Sequence, residues 1–163
     1  MRKCKILYFL MLVTAVMFSV SANAADKNEG LKYDLVSAGV GAQGTYLCKV
    51  SVYTKKGKTT DADLKRAAVH GVIFKGVAGG NGVATQKPMA NPTIEYEKAD
   101  FFKEFFADDG PYMAYANVEP STIGRKTTAK KEVCVSAVVS VSKDELRKYL
   151  EKAGIVRGLG SMF

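Results

Sequence analysis

Histidine occurs once in this chain, at His70, cysteine three times and proline four times, while Lys and Arg outnumber Asp and Glu by 24 to 16. Each scarcity closes off some chemistry. Zinc sites draw on several His or Cys ligands, and one histidine with separated cysteines does not supply them, so no metal is expected. A Ser-His-Asp or Cys-His site would have to run through His70, which shares a predicted helix with Arg66 and flanks its apolar face instead of standing beside a nucleophile-bearing turn. A surface or boundary histidine is the favoured reading. The apolar run from Ile6 to about Val20 is too short to cross a bilayer.

That run belongs to an export signal. Met-Arg-Lys-Cys-Lys supplies a charged start, the apolar run a short middle, and Ala22-Asn23-Ala24 an A-x-A cleavage site before polar Asp26-Lys27-Asn28-Glu29. Cys4 precedes the apolar region and no other cysteine lies near the cleavage site, so lipid anchoring is not expected. Cleavage after residue 24 removes Arg2, Lys3 and Lys5 and no acid, and the formal charge falls from +8 to +5. Residues 25–163 make one domain of ordinary size, able to bury a core without disulfide staples. The expected location is periplasmic or secreted, with no transmembrane segment after cleavage.

Gly39, Gly41 and Gly44 in "SAGVGAQGTYLCKVSVYT" have the G-x-G-x-x-G spacing of dinucleotide-binding loops. The fingerprint works only where the last glycine opens a helix, whose unpaired N–H groups hold the pyrophosphate. The residues after Gly44 are β-branched and aromatic with a period of two, the mark of a strand. The glycines therefore read as a hairpin turn, and no cofactor is expected. Cys48 and Cys134 remain after cleavage in a compartment that permits disulfides. Cys48 shares its strand face with Val50 and Val52, whereas Cys134 sits opposite Val133, Val135 and Val139, so in one sheet the thiols point apart. A bulge could reset the phase, and the pairing stays open.

The pattern predicts strands at 31–36 and from 45 to 54, then a helix from the Thr60-Asp61-Ala62-Asp63 cap to about Lys75, with Leu64, Ala67, Ala68, Gly71 and Val72 on one face. Val69 and Ile73 lie on its far side, implying cover there too. A long loop spans 76–91; no Gly-Lys-Ser/Thr comes after its glycines, and loops of this length usually carry function or are disordered. Gly79, Gly80, Asn81 and Gly82 are its candidate contact residues. Asn91-Pro92 opens a second helix, whose Ile94, Phe101, Phe102, Phe105 and Phe106 make a stripe that reads as core, the alternative being a groove for an apolar ligand. Strands at Tyr112–Val118 and Glu132–Ser142 come next, joined by a basic connection. Ser142-Lys143-Asp144-Glu145 reads as a capping box opening a last helix that Gly154 stops. The fold class is α+β: a largely antiparallel four-stranded sheet in the order ββααββα, with helices on one face.

The path from "SAGVGAQG" through "DADLKRAAVHGVIF" to "VSAVVSVSKDELRKYLEKAGI" resembles the small α+β domains of exported envelope proteins, including the amino-terminal domain of flagellar assembly protein T and related surface-lipoprotein domains. The resemblance implies an accessory role in envelope assembly or surface organisation and brings no catalytic residues. Asp108 and Asp109, with Glu95 and Glu97, could in principle supply the paired carboxylates of a glycoside hydrolase, but each has a plainer reading at a helix end or early in a helix.

The expectation is a non-enzymatic exported interaction or assembly protein, the alternatives being a binder of acidic glycan or lipid headgroups and, last, a small hydrolase. The candidate patch is Lys55, Lys56 and Lys58 with Arg125, Lys126, Lys130 and Lys131, which meet only if their strands run antiparallel. An envelope protein or an acidic glycan or lipid surface is the expected partner. No interleaving of basic and aromatic residues suggests nucleic acid.

Overall fold

The computed structural model describes residues 31–55 and 58–158. The expected signal peptide, and Lys56 of the basic cluster, lie outside the described residues. Four strands, β1 (Lys32–Gly39), β2 (Tyr46–Thr54), β3 (Ala116–Thr127) and β4 (Val133–Val141), form one antiparallel sheet in the spatial order β1-β2-β4-β3. Side chains alternate across it as period-2 sequences require. Tyr33 and Leu35, Cys48, Val50 and Val52, and Val135 to Val141 at every second position are buried on one side. Lys49, Ser51 and Ser136 lie on the other, and it is left open.

The helices of the described residues cover the buried side. The first, α1 (Asp61–His70), is opened by a capping box: Asp63 N–H donates to Thr60 Oγ1 at 3.3 Å and Thr60 N–H donates to Asp63 Oδ2 at 2.9 Å. Leu64, Ala67 and Ala68 bring it close to the sheet, and Val69 and Ile73 are fully buried as well, so α1 is enclosed on more than one side. The helix then widens into a π turn, Gly71–Lys75, closed by Gly76 N–H to Gly71 carbonyl at 2.8 Å. A Cβ on Gly71 would come within 2.8 Å of the Leu35 side chain, so the bare backbone allows the turn to lie on β1.

The expected second helix is two, α2 (Thr93–Glu97) and α3 (Ala99–Phe105), bent at Lys98 with φ −119° and ψ 37°. Asn91 Oδ1 accepts from Thr93 N–H at 3.0 Å, the cap foreseen for this start. The bend lets Phe102, Phe105 and Phe106 enter the core, each at most 3% exposed. Phe105 lies 4.9 Å from Phe106 and 5.6 Å from Tyr149, ring centre to ring centre. The final helix, α4 (Lys143–Lys152), contributes Leu146 and Leu150 to the same core.

Three local expectations are corrected. Tyr112 to Tyr115 belong to a 3-10 turn, Pro111–Tyr115, because Gly110-Pro111 starts a tight turn that drives Tyr112 fully into the core. The strand starts later, at Ala116, and runs on through the polar stretch expected to be a connection, since beyond Val118 this edge strand has almost nothing to bury on either face. Ser142 makes no side-chain cap. Asp144 N–H donates instead to the Gly44 carbonyl at 3.2 Å, so the β1–β2 turn satisfies the start of α4. The cysteine phases hold: Cys48 faces Val139 on the buried side, Cys134 pairs with Tyr53 on the open side, and both thiols are free.

Candidate functional site

The antiparallel register decides where the basic clusters go. Thr54 pairs with Val133, and Val133 with Thr127, so Lys55 and Lys58 leave β2 at the end of the sheet where Arg125, Lys126, Lys130 and Lys131 surround the β3–β4 hairpin. The clusters share an end but not a face. Arg125 pairs with Val135 and Lys126 with Cys134, so by strand alternation they project to opposite sides. All six are exposed, and none has a carboxylate partner among the described residues. Beside them a hollow of about 370 Å³ on the open face is lined by Lys32, Asp34, Tyr53, Thr128, Lys130 and Glu132. Its cations are matched by its acids: Lys32 Nζ lies 3.3 Å from Glu132, and Tyr53 donates to Asp34 at 2.8 Å. That bond, more than burial, pushes the Tyr53 phenol up to about 12. The unbalanced charge is therefore on the rim and not in the hollow.

The loop between the π turn and α2 is organised. Gly80 and Val83 exchange backbone hydrogen bonds at 3.1 and 3.0 Å across Asn81 and Gly82, whose φ values of 48° and 78° are those of a type I′ turn. Asn81 Nδ2 donates to the Ala38 carbonyl at 3.0 Å, and Ser37 N–H donates to the Ala78 carbonyl at 2.8 Å, which fastens the loop along the outer edge of β1. Gly79, Gly80, Asn81 and Gly82 thus form an edge-covering hairpin, remote in the register from the basic rim.

A further site was not foreseen. A cavity of about 330 Å³ opens between the start of β1, the end of α1 with its π turn, and the α2–α3 pair. On its wall Tyr33 Oη lies 2.5 Å from His70 Nδ1, and Glu95 Oε1 lies 2.9 Å from His70 Nε2. An ionised carboxylate only accepts, so with a neutral imidazole Nε2 carries the proton and Nδ1 accepts from the tyrosine. Phe74 and Phe106 hold the ring at centroid distances of 5.0 and 5.6 Å. Burial, reinforced by the Glu95 charge, raises the Tyr33 phenol well above the usual tyrosine range. Arg66, one turn before His70, is 3% exposed, and Lys75 Nζ sits 3.8 Å over the Tyr33 ring.

No family model, curated protein or solved structure matches this chain. Tyr33, His70 and Glu95 have the outline of a nucleophile, base and orienting acid, but a buried phenol held protonated is a poor nucleophile. The arrangement fixes these side chains around the cavity. Of the four carboxylates considered for a hydrolase, Glu95 is engaged with His70 and Asp108 with Arg66 at 3.4 Å. No three His, Cys, Asp or Glu side chains among the described residues are grouped to hold a metal ion, and no described helix is long and apolar enough to cross a membrane.

His70 does lie beside Arg66 on the flank of its helix. Its partners were invisible in sequence because they come from 37 residues before and 25 after. The one available signal was Tyr33, placed by alternation on the buried face with a hydroxyl that needed a partner.

Proposed function

We propose that this chain is a non-enzymatic, exported interaction protein of the cell envelope that docks on an anionic surface through the basic end of its sheet. The observation that carries the reading is the register, which gathers Lys55, Lys58, Arg125, Lys126, Lys130 and Lys131 at one end with no carboxylate paired to any of them among the described residues. A rim spread over both faces, with no enclosing walls, suits closely spaced carboxylates or phosphates on an extended surface better than one small ligand. The resemblance to envelope assembly domains is consistent with such an accessory role and adds no residue to it.

The test is retention of the exported chain on polygalacturonate and on vesicles of phosphatidylglycerol in phosphatidylcholine. The two arms separate glycan from headgroup. Binding should weaken from 0.01 to 0.15 M salt as the screening length shrinks from about 30 to about 8 Å. A folded variant carrying Lys55→Glu, Lys126→Glu, Lys130→Glu and Lys131→Glu should lose it. Equal retention of both proteins, at both salt concentrations, refutes the docking reading.

A further inference from the structure

The cavity at the end of α1 contains a buried cation without a full set of partners. Arg66 is 3% exposed, yet among the described residues its Nε has no hydrogen-bond partner. Its Nη2 reaches Asp108 only at 3.4 Å and the Tyr112 hydroxyl at 3.5 Å, both at the long limit of a hydrogen bond. Guanidinium carries five N–H donors in a planar fork that matches a carboxylate two bonds at a time, and an unsatisfied buried donor calls for a missing acceptor.

The rest of the lining says what that acceptor is attached to. Two more cations, Lys75 and Lys103, face one carboxylate, Glu95, and Glu95 is already held by His70. The uncompensated charge of the cavity is positive. Its other walls are apolar: Leu31, Ala99 and the Phe102 ring. At the lip stands Tyr96, 81% exposed, a large aromatic placed in solvent where the bend at Lys98 presents it. The volume, about 330 Å³, lies at the small end of the range for pockets that take whole ligands. His70, clamped between Tyr33 and Glu95 and packed by two phenylalanines, has both ring nitrogens committed and supplies a rigid wall.

We propose that this cavity binds a small carboxylate carrying an apolar tail, the carboxylate on Arg66 with Lys75 and Lys103 beside it and the tail against Phe102 under Tyr96. The start of β1 that borders the cavity lies at the same end of the sheet as the basic rim, but the lining includes none of the rim residues, and the proposal does not depend on polyanion docking. A free organic acid and the carboxyl terminus of a short peptide present the same chemistry.

Amide resonances of the ¹⁵N-labelled exported chain would be followed while adding hexanoate, hexanamide or N-acetyl-Ala-Phe. Saturable shifts centred on residues 66–75 and 95–103 are expected with hexanoate, and binding at least tenfold weaker with hexanamide. The acetylated dipeptide binding more tightly than hexanoate would assign the site to peptide termini, and the reverse order to free acids. Arg66→Met keeps an unbranched apolar stem and removes the guanidinium, so a folded variant should lose saturable hexanoate binding. Lys75→Gln with Lys103→Gln, both at the surface, should weaken it severalfold. If Arg66→Met fails to fold, discrimination against hexanamide by the wild-type chain decides the matter. Shifts that stay linear with every probe, equal affinity for acid and amide, or unchanged binding by folded Arg66→Met would overturn the proposal.

Discussion

Raising the pH should unfold this protein partly through one thiol. Cys48 is 0% exposed on the middle of β2 and has no charged neighbour to offset its burial, which lifts its thiol from the ordinary 9.0 to about 12. In the unfolded chain the same thiol ionises near 9. The protonated form is favoured by folding, so its contribution is complete below pH 9 and is lost as the pH climbs toward 12. At about 1.4 kcal/mol per pH unit, the loss from this group alone is about 1 kcal/mol at pH 10 and about 3 kcal/mol at pH 11. Tyr33, Tyr53 and Tyr115 are raised too and blur a single titration. A comparison removes them. Cys48→Ala bears a constant cost for its missing sulfur but has no thiol to ionise, so urea melts of both proteins in reductant should show the wild-type advantage shrinking by about 3 kcal/mol from pH 7 to pH 11. A gap that stays constant over that range would refute the assignment of the shift to burial of Cys48.

Phe102→Ala and Phe105→Ala each empty a position at most 2% exposed and should each cost about 3 to 5 kcal/mol in denaturant melts; unchanged midpoints would mean the phenylalanine stripe is not core. Gly76 has φ 77° and ψ −179°, and a Cβ there would lie 2.3 Å from the Gln86 carbonyl oxygen. Gly76→Ala should therefore cost about 3 kcal/mol, against about 1 kcal/mol for Gly82→Ala, where the φ of 78° is similar but nothing lies within 4 Å. Equal midpoints for these two variants would dismiss the close approach as the reason for the glycine. Amino-terminal sequencing of material recovered from an exporting host should begin within two residues of Ala25, and an intact Met1 would defeat the export signal.

Strands β1, β2 and β4 were legible in sequence because one face of each is buried and period-2 alternation records that directly. The acidic first turn of α1 was legible for the same local reason: the capping residues lie three apart. The second half of β3 was not, since an edge strand exposed on both faces leaves no hydrophobic alternation from Glu119 to Thr127. The bend at Lys98 was missed because no Gly or Pro marks it, and the phenylalanine spacing suits one long helix nearly as well as two short ones. Of the candidate sites, the basic rim needed only strand direction, which composition and connection lengths constrain. The cavity needed the packing of α2–α3 against α1, a long-range fact that no window of sequence contains.

The borders of the sheet limit how anything can recognise this protein. Along one border the 76–91 hairpin occupies the hydrogen-bonding groups of Ser37 and Leu35. Along the other, Pro120 withholds a donor, the register slips between Glu119 and Gly124, and Arg125 and Lys126 place charge on the margin. Both are devices that discourage a foreign strand from joining. Recognition by backbone zippering is thereby discouraged, and a partner has to read side chains. The exposed rim residues carry no packing, so under the docking proposal exchanging a few lysines there would redirect what the surface prefers while leaving the scaffold intact. Such a surface would be free to change its preference far faster than the fold beneath it.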